Sequence, residues 1–205
     1  MKKIFITGIG TDVGKTVASA IVVEALKADY FKPVQAGDLE FSDTDKVKQL
    51  ISNKKSKFHK NSYALNTPMS PHAAAEIDQL TIELDNIKIP ETDNYLVIEG
   101  AGGVLVPLNN KDTILDLIRP DYNVIVVSRH YLGSINHTLM TLWILKERGF
   151  NVSIIFNGDE HKTTEDIIKK MTDVNVLGRI NDEPYFDSMV IKEYADLFAE
   201  RLEEL

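Results

Sequence analysis

The sequence predicts one doubly wound α/β domain, spanning residues 1–205 and built around a mostly parallel sheet. Three observations carry this prediction. The chain has 205 residues, close to the roughly 150 that one domain usually holds. Short apolar runs, typical of strands covered on both faces, alternate with longer segments of helical periodicity. A glycine-rich segment joins the first apolar run to the first helical segment, as expected where a parallel strand leads into a helix.

The first two elements lie on either side of this glycine-rich segment. Residues 3–7 (Lys-Ile-Phe-Ile-Thr) are mostly apolar and β-branched and end at Gly8 and Gly10, which predicts a buried central strand. After Gly14 the chain continues to Ala28 without proline or glycine, and its apolar residues form one broad helical face. The sequence therefore predicts a strand, a glycine loop and a helix in direct succession.

Later apolar runs predict further buried strands, and the segments between and after them predict helices. A short strand is expected at Tyr30 and Phe31, before these runs. The other strand candidates are residues 95–98, 124–127, 152–156 and 174–177, and the helix candidates are residues 135–148, 165–171 and 187–205. This alternation is typical of doubly wound α/β proteins.

The stretch from residue 37 to residue 90 is less regular. We expect a helix at residues 45–51 and no domain boundary. The lysines at positions 54, 55, 57 and 60 allow two interpretations, a nucleic-acid patch or a solvated loop. No aromatic stacking platform accompanies them, which favours the solvated loop, and we expect no nucleic-acid partner.

Composition excludes several classes of function. With 43% hydrophobic and 26% charged residues, the chain has the composition of a folded globular protein. A net charge of −8 opposes non-specific attraction to DNA or to anionic membranes. The absence of cysteine excludes disulfides, thiolate metal sites and a cysteine nucleophile. No long apolar stretch and no signal-peptide pattern are present, so we expect a cytoplasmic protein with no membrane partner.

The glycine-rich segment from Gly8 to Thr16 has the composition of a phosphate-binding loop. Gly14 would let the backbone approach a phosphate, Lys15 would reach the β and γ phosphates, and the Thr16 hydroxyl would hold Mg²⁺. Ile9 stands where the common pattern has its first glycine, so the match is to a variant loop. A glycine turn can also be purely structural, but its position between a strand and a helix favours nucleotide binding.

A phosphate loop needs acidic partners to complete a magnesium site. Glu99 directly follows a predicted strand and precedes the small residues 100–103, so it is expected at the same sheet edge. A solvated strand end is the alternative for Glu99. Asp43 and Asp45 are further candidates, although each could equally cap the helix that follows.

Lys32 lies after Tyr30 and Phe31 and before Pro33, at the end of the short predicted strand. It could neutralise a developing anion beside Lys15, or it could be an ordinary solvated lysine. Local features do not decide between these interpretations.

Five segments together carry a resemblance to one family. They are residues 7–16, 31–35 with Gly37, 70–72, 99–103 with Pro107 and Leu108, and 132–137. Several are weak alone, but together and in this order they are specific, and the chain resembles the dethiobiotin synthetases, ATP-dependent ligases of biotin biosynthesis. The resemblance implies a P-loop NTPase fold, ATP as co-substrate and Mg²⁺ as cofactor. It also implies a reaction in which 7,8-diaminopelargonate takes up CO₂ as a carbamate, ATP activates the carbamate, and the second amine closes a cyclic urea.

The resemblance also implies roles for individual residues. Lys32 and Lys15 would be catalytic, and Thr16, Asp45 and Glu99 would hold Mg²⁺, with Asp45 preferred to Asp43 because the helix after it keeps the family's spacing. The implied nucleotide-binding residues are Asp12, Val13, Gly14, Lys15, Thr16, Val17, Asp45, Glu99, Gly100, Ala101, Gly102 and Asn157. The implied substrate residues are Thr11, Lys15, Lys32, Ala36 and Asn136. Asn136 would come from the partner subunit of a two-fold homodimer.

The chain departs from the family at three places. Ala36 stands where relatives often present a hydroxyl to the substrate, and Asp12 replaces a longer acid. Asn181 ends a segment that lacks the proline relatives often carry near the base, so nucleobase preference stays open.

The sequence also allows two rival functions. The synthetase portion of a cobyrinate-type amidotransferase would need ammonia from a separate subunit, since this chain has no cysteine for a glutaminase. A MinD- or ParA-type switch uses an additional lysine early in the loop, where Gly10 lies here, and the acidic segment 193–205 does not resemble a membrane-binding helix.

Overall fold

The computed structural model describes residues 2–205 and contains a seven-stranded sheet and a separate two-stranded sheet. The strands are β1 (Lys3–Gly8), β2 (Asp29–Phe31), β3 (Val34–Ala36), β4 (Phe58–His59), β5 (Tyr63–Leu65), β6 (Leu96–Gly103), β7 (Tyr122–Arg129), β8 (Asn151–Asn157) and β9 (Asn175–Ile180). The helices are α1 (Lys15–Leu26), α2 (Asp43–Leu50), α3 (Pro71–Ile77), α4 (Ser134–Glu147), α5 (Lys162–Thr172) and α6 (Ser188–Glu203). Two short 3₁₀ helices lie at Leu84–Asn86 and Ile114–Leu117.

The larger sheet has the order β4-β2-β6-β1-β7-β8-β9, and each neighbouring pair is parallel. Its central strands are apolar because helices flank the sheet, and residues such as Phe5, Ile98 and Ile125 are fully buried. The doubly wound α/β prediction is confirmed. Because every strand runs the same way, the carboxyl ends of all seven strands meet at one edge of the sheet, where ligands bind in such folds.

The predicted strands and helices are present, with boundaries shifted by a few residues, but β6 is longer than expected. The sequence placed Glu99 after the strand and residues 100–103 in a turn. In the structure β6 continues to Gly103, which pairs with Gly8 of β1 after a register shift. The chain is tightly packed at Gly8, where a Cβ would lie 2.4 Å from Cγ2 of Val13.

The region from residue 37 to residue 90 holds more structure than the sequence indicated. Helix α2 begins at Asp43, two residues earlier than expected, because Ser42 is its N-cap and forms a capping box with Asp45. Helix α3 and strands β4 and β5 were not predicted, and their short lengths give no clear periodicity. The four lysines at positions 54, 55, 57 and 60 are exposed, in agreement with the solvated-loop interpretation. Within residues 2–205, no helix has the length and apolar character needed to cross a membrane.

Candidate active site

A cavity of about 830 Å³ opens at the carboxyl edge of the larger sheet. Most of the residues predicted from the sequence line it: Thr11, Asp12, Gly14, Lys15, Thr16, Val17, Lys32, Ala36, Glu99, Ala101, Gly102 and Asn157. Four predicted residues are not part of its lining: Val13, Asp45, Gly100 and Asn136. The strand order explains the convergence, since β2, β6, β1, β7, β8 and β9 are successive neighbours at this edge.

The phosphate loop connects β1 to α1 and forms one wall of this cavity. Gly14 precedes α1 with φ of 95°, in the left-handed region that favours glycine. A Cβ at Gly14 would lie 2.3 Å from Nδ2 of Asn157, so a side chain would also displace that amide. Lys15 donates from Nζ to the carbonyl oxygen of Gly10 at 2.8 Å. Burial lowers the pKa of Lys15 to about 8.

The carboxylate of Glu99 is buried at the centre of the site, where it accepts four hydrogen bonds. Oε1 accepts from Thr16 at 3.2 Å and from Lys32 at 3.0 Å, and Oε2 accepts from Ser19 at 2.6 Å and from Tyr30 at 2.9 Å. Burial and the charge of Glu99 together raise the pKa of Tyr30 well above its usual value, so its hydroxyl stays a donor. The position of Glu99 inside β6, with this many donors, excludes the solvated strand end.

Lys32 follows β2 and is almost fully buried. Its Nζ lies 2.6 Å from Oδ2 of Asp43 and 3.0 Å from Oε1 of Glu99. Burial alone would lower the pKa of Lys32, but the charges of Glu99 and Asp43 outweigh it and raise the pKa. Lys32 is therefore a charged ammonium held between two carboxylates in the cavity, and the solvated-lysine interpretation is excluded.

The structure distinguishes between Asp43 and Asp45, which the sequence alone could not do. Asp43 is half-buried and lines the cavity, whereas Asp45 is exposed and does not line it. The Asp45 carboxylate accepts from the backbone N–H of Ser42 at 2.9 Å and from its hydroxyl at 2.6 Å, which completes the capping box of α2. The geometry therefore favours Asp43 over Asp45 as a metal ligand, because the Asp45 side chain is used to cap the helix. Asp43, on the first turn of the same helix, is the aspartate at the site.

Thr16, Asp43 and Glu99 offer the oxygen donors that Mg²⁺ prefers. The two carboxylates already share one cation, the Lys32 ammonium, which indicates a site suited to positive charge. In residues 2–205, no three histidine or acidic side chains cluster closely enough to hold a metal by themselves. At nucleotide sites in general, one or two carboxylates and the substrate phosphates share the coordination of Mg²⁺.

The end of the cavity near β8 and β9 is suited to a nucleobase. Asn157, the last residue of β8, donates from Nδ2 to the carbonyl oxygen of Val13 at 2.9 Å, which ties the amide to the phosphate loop. Its amide oxygen can accept from a base amine. Val13 thus contributes by orienting Asn157 and not by lining the cavity. Arg129, Asp182 and Phe186 also line the cavity and were missed by the sequence analysis. Arg129 and Asp182 lie at or just after strand ends, the same signal that identified Glu99.

The end of the cavity near β2 and β3 contains further residues that were missed. Val34, Asp38, Lys46 and Met69 line it together with Ala36. Lys46 lies one helical turn after Asp43 on α2, and its Nζ is 3.3 Å from Asp43 Oδ1 and from Asp38 Oδ2. The i, i+3 spacing of Asp43 and Lys46 was the available signal once the helix start was known.

Asn136 is exposed on the first turn of α4, and Gly100 is buried inside β6. Neither lines the cavity of a single chain. A Cβ at Gly100 would lie 3.2 Å from both Ile114 and Phe5, so this glycine packs the core behind Glu99.

Comparison with known proteins gives two kinds of match. A family described as an AAA domain matches residues 2–190. The ATP-dependent dethiobiotin synthetase BioD of Christiangramia forsetii is 66% identical over 205 residues, covering 100% of this chain and 99% of that protein. The protein of the same name from Cytophaga hutchinsonii is 50% identical over 198 residues, covering 95% of this chain and 96% of that protein.

Solved structures give a more distant similarity. The MinC:MinD cell division complex of Aquifex aeolicus matches with a TM-score of 0.62 at 16% identity, covering 100% of this chain and 96% of that one. A putative plasmid partition protein of Borrelia burgdorferi bound to AMPPNP matches with a TM-score of 0.59 at 13% identity, covering 100% of this chain and 99% of that one. At these identities the likeness shows the fold alone.

Proposed function

The chain belongs to the ATP-dependent dethiobiotin synthetase family, within the P-loop NTPase fold, and from this membership we propose the reaction and the roles of its residues. The protein is an ATP-dependent cyclo-ligase that converts 7,8-diaminopelargonate, CO₂ and ATP into dethiobiotin, ADP and phosphate. The observation that carries the proposal is the placement of Lys15 and Lys32 in one cavity with the phosphate loop.

The reaction has three chemical steps. An amine of the substrate attacks CO₂ and loses a proton, which gives a carbamate. A carbamate oxygen then attacks the γ phosphorus of ATP, so that ADP leaves and a carbamic-phosphoric anhydride forms. The second amine attacks the carbonyl carbon of this anhydride and loses a proton, and phosphate leaves as the cyclic urea closes.

Negative charge accumulates in the first two steps, and two lysines are placed to stabilise it. Lys15 comes from the phosphate loop and Lys32 from the end of β2, so they line the cavity from different elements. The pKa of Lys32 is raised by Glu99 and Asp43 despite its burial, so it is a fixed positive charge at neutral pH. A buried, preorganised cation of this kind stabilises a carbamate and the transferring phosphoryl group without acting as a base.

Mg²⁺ is the cofactor that the donor set fits, and Thr16, Asp43 and Glu99 would hold it. Bound Mg²⁺ would neutralise part of the negative charge of the nucleotide phosphates. The chain's own contribution is to preorganise the ligands: Ser19 and Tyr30 fix the Glu99 carboxylate, and α2 carries Asp43 toward Lys32.

We place the base of ATP at the β8–β9 end of the cavity and the diamine at the β2–β3 end. The P-loop lies between these ends because β1 is at the centre of the sheet. Asn157 beside the loop supports the position of the base, since an amide can both donate to and accept from adenine.

The family resemblance supports a homodimer, in which Asn136 of one subunit would reach the substrate of the other. Exposed apolar side chains support an interface at this place: Leu132 is fully exposed, and Ile135, Met140 and Trp143 are also exposed on or beside α4. An apolar patch of this kind marks an interaction surface. Asn136 does not line the cavity of its own chain. In a dimer, the Asn136 side chain of one copy would reach the cavity of the other copy.

Replacing Leu132 by Glu is expected to convert the dimer into monomers, because two like charges would enter an apolar interface. Sedimentation velocity measures the mass, which should fall from that of a dimer to that of a monomer. Product formation should fall as well, because Asn136 would leave the partner's site. Leu197→Glu is the matched control, since Leu197 is similarly exposed on α6. A wild-type chain that sediments as a monomer while fully active would exclude the shared site.

The test of the function itself is direct product detection. Purified protein is incubated with 7,8-diaminopelargonate, bicarbonate, Mg²⁺ and ATP, dethiobiotin is measured by mass spectrometry, and phosphate release is followed in parallel. We expect dethiobiotin and phosphate in equal amounts, both dependent on the diamine. ATP hydrolysis that proceeds equally without the diamine would show that only the nucleotide site is shared with the family.

A further inference from the structure

The turn between β3 and α2 places a carboxylate on the cavity wall at the β3 end. Gly37 and Asp38 both have left-handed backbone conformations, with φ of 74° and 52°. The turn is packed tightly, since a Cβ at Gly37 would lie 2.5 Å from the Cβ of Pro68. Asp38 is thereby held in a fixed place, with its side chain 68% exposed and lining the cavity.

The other acids that line the cavity are engaged or lie elsewhere. Glu99 and Asp43 both pair with Lys32. Asp12 lies in the phosphate loop, and Asp182 follows β9, at the far end of the sheet from β2. At the β3 end of the cavity, Asp38 is the carboxylate that remains able to accept a hydrogen bond from a ligand.

The partner of Asp38 leaves it incompletely neutralised. Lys46 Nζ is 3.3 Å from Asp38 Oδ2 but also 3.3 Å from Asp43 Oδ1, so one ammonium serves two carboxylates. The Lys46 side chain is 36% exposed, and exposed ion pairs of this kind are weak. A ligand ammonium or amine could therefore bind Asp38 while Lys46 stays with Asp43.

The chemistry of the substrate requires an acceptor at this end, an argument that rests on the proposed function. Lys15, Lys32 and Lys46 line the cavity and suit phosphates and a carbamate, and the pairing of Lys32 and Lys46 already engages the carboxylates of Glu99 and Asp43. A vicinal diamine has two nitrogens whose N–H groups need acceptors. Ala36 offers only a methyl group to the cavity, and Asp38 lies two residues further along the same wall.

We propose that Asp38 is a substrate-binding residue that accepts a hydrogen bond from one of the two amines of the diamine and so selects a diamine over a monoamine. The carboxylate takes the place of a hydroxyl that Ala36 cannot provide. Met69, which lines the same end and is half exposed, gives the aliphatic chain of the substrate an apolar surface. No group is transferred to or from Asp38 in this role.

The test compares ligands and variants in a binding assay without nucleotide. Calorimetric titration measures the affinity of the wild-type protein for 7,8-diaminopelargonate and for the two monoamine analogues, each lacking one amine. We expect the diamine to bind about tenfold to a hundredfold more tightly than the analogue that lacks the held amine. In Asp38→Asn that ratio should fall toward one, because the amide oxygen that remains is an uncharged and weaker acceptor. Asparagine tolerates a left-handed backbone, so the turn should keep its shape.

Two controls separate substrate binding from a structural role of the Asp38–Lys46 pair. Glu40→Gln removes one negative charge from the same exposed loop, where Glu40 does not line the cavity, and should leave the ratio unchanged. Lys46→Met breaks the pair but keeps the carboxylate, so the preference for the diamine should persist. If Lys46→Met lost the preference as fully as Asp38→Asn, Asp38 would be assigned to the turn and not to the substrate.

A double variant gives an independent check in the activity assay. Ala36→Ser adds a hydroxyl on the same wall and should recover part of the rise in KM for the diamine caused by Asp38→Asn, while KM for ATP stays constant. An Asp38→Asn protein with unchanged diamine affinity and unchanged KM would overturn the proposal. That result is distinguishable from failure of the proposed function, in which the wild-type protein itself forms no dethiobiotin.

Discussion

Replacing Lys32 by Met is expected to lower the rate of dethiobiotin formation by about 100-fold to 1,000-fold, the effect of removing one preorganised charge-stabilising group. The Lys32 ammonium is buried between Asp43 and Glu99, at 2.6 Å and 3.0 Å. Methionine has a similar length and shape but no charge. Without the ammonium, the carbamate and the transferring phosphoryl group would lose a stabilising cation beside the carboxylates of Asp43 and Glu99, so both the binding of the anion and its transition state are disfavoured.

The measurement is steady-state product formation together with ATP binding by calorimetry. ATP should still bind to Lys32→Met, because Lys15 and the phosphate loop are unchanged, and the loss should appear mainly in kcat. Lys48→Met is the matched control, since Lys48 is exposed on α2 and does not line the cavity. Circular dichroism checks folding, because breaking a buried charge pair costs about 3–5 kcal/mol. A folded Lys32→Met protein with wild-type kcat would remove Lys32 from the mechanism.

The positions of strand ends could be predicted from the sequence, and they account for part of the site. Short apolar runs locate the strands, and parallel strands must end at one edge, so Glu99 was expected beside the phosphate loop. Asn157, which the family resemblance implied, ends β8 at the same edge although it is 58 positions from Glu99 in the sequence. The same rule applies to Arg129 and Asp182, which were missed because no motif drew attention to them. Prediction succeeded where chain direction alone determines position.

Lys32 and the two aspartates show where the sequence is insufficient. A lysine at a strand end is buried or solvated depending on what packs over it, and here α2 brings Asp43 across a sequence separation of 11 residues. Asp43 and Asp45 differ by two positions on a helix, about 200° around its axis, so only one can face the cavity. The residue at which α2 starts determines which aspartate faces the cavity. That start is set by the local hydrogen bonds of the capping box between Ser42 and Asp45.

Replacing Asp43 by Asn is expected to raise the Mg²⁺ concentration needed for tight nucleotide binding by at least about tenfold. Loss of a group that only supports a metal ligand typically costs 10-fold to 100-fold in affinity, and loss of a direct ligand should cost no less. The measurement is the Mg²⁺ dependence of the melting temperature with a non-hydrolysable ATP analogue bound, so it does not depend on turnover. Asp43 also pairs with Lys32 and Lys46, so product formation should fall as well.

Asp45→Asn provides the discriminating comparison, because it makes the same chemical change two residues away. Its side chain caps α2 through Ser42, and asparagine keeps the acceptor oxygen but loses the negative charge at the helix N-terminus, which should cost the protein about 0.3–1 kcal/mol of stability. The melting temperature should then fall by the same amount at every Mg²⁺ concentration, with no change in the Mg²⁺ midpoint. If Asp45→Asn shifted the midpoint and Asp43→Asn did not, the family's spacing would be the better guide to the metal ligand. The opposite result would establish that the start of α2 selects which carboxylate faces the phosphates.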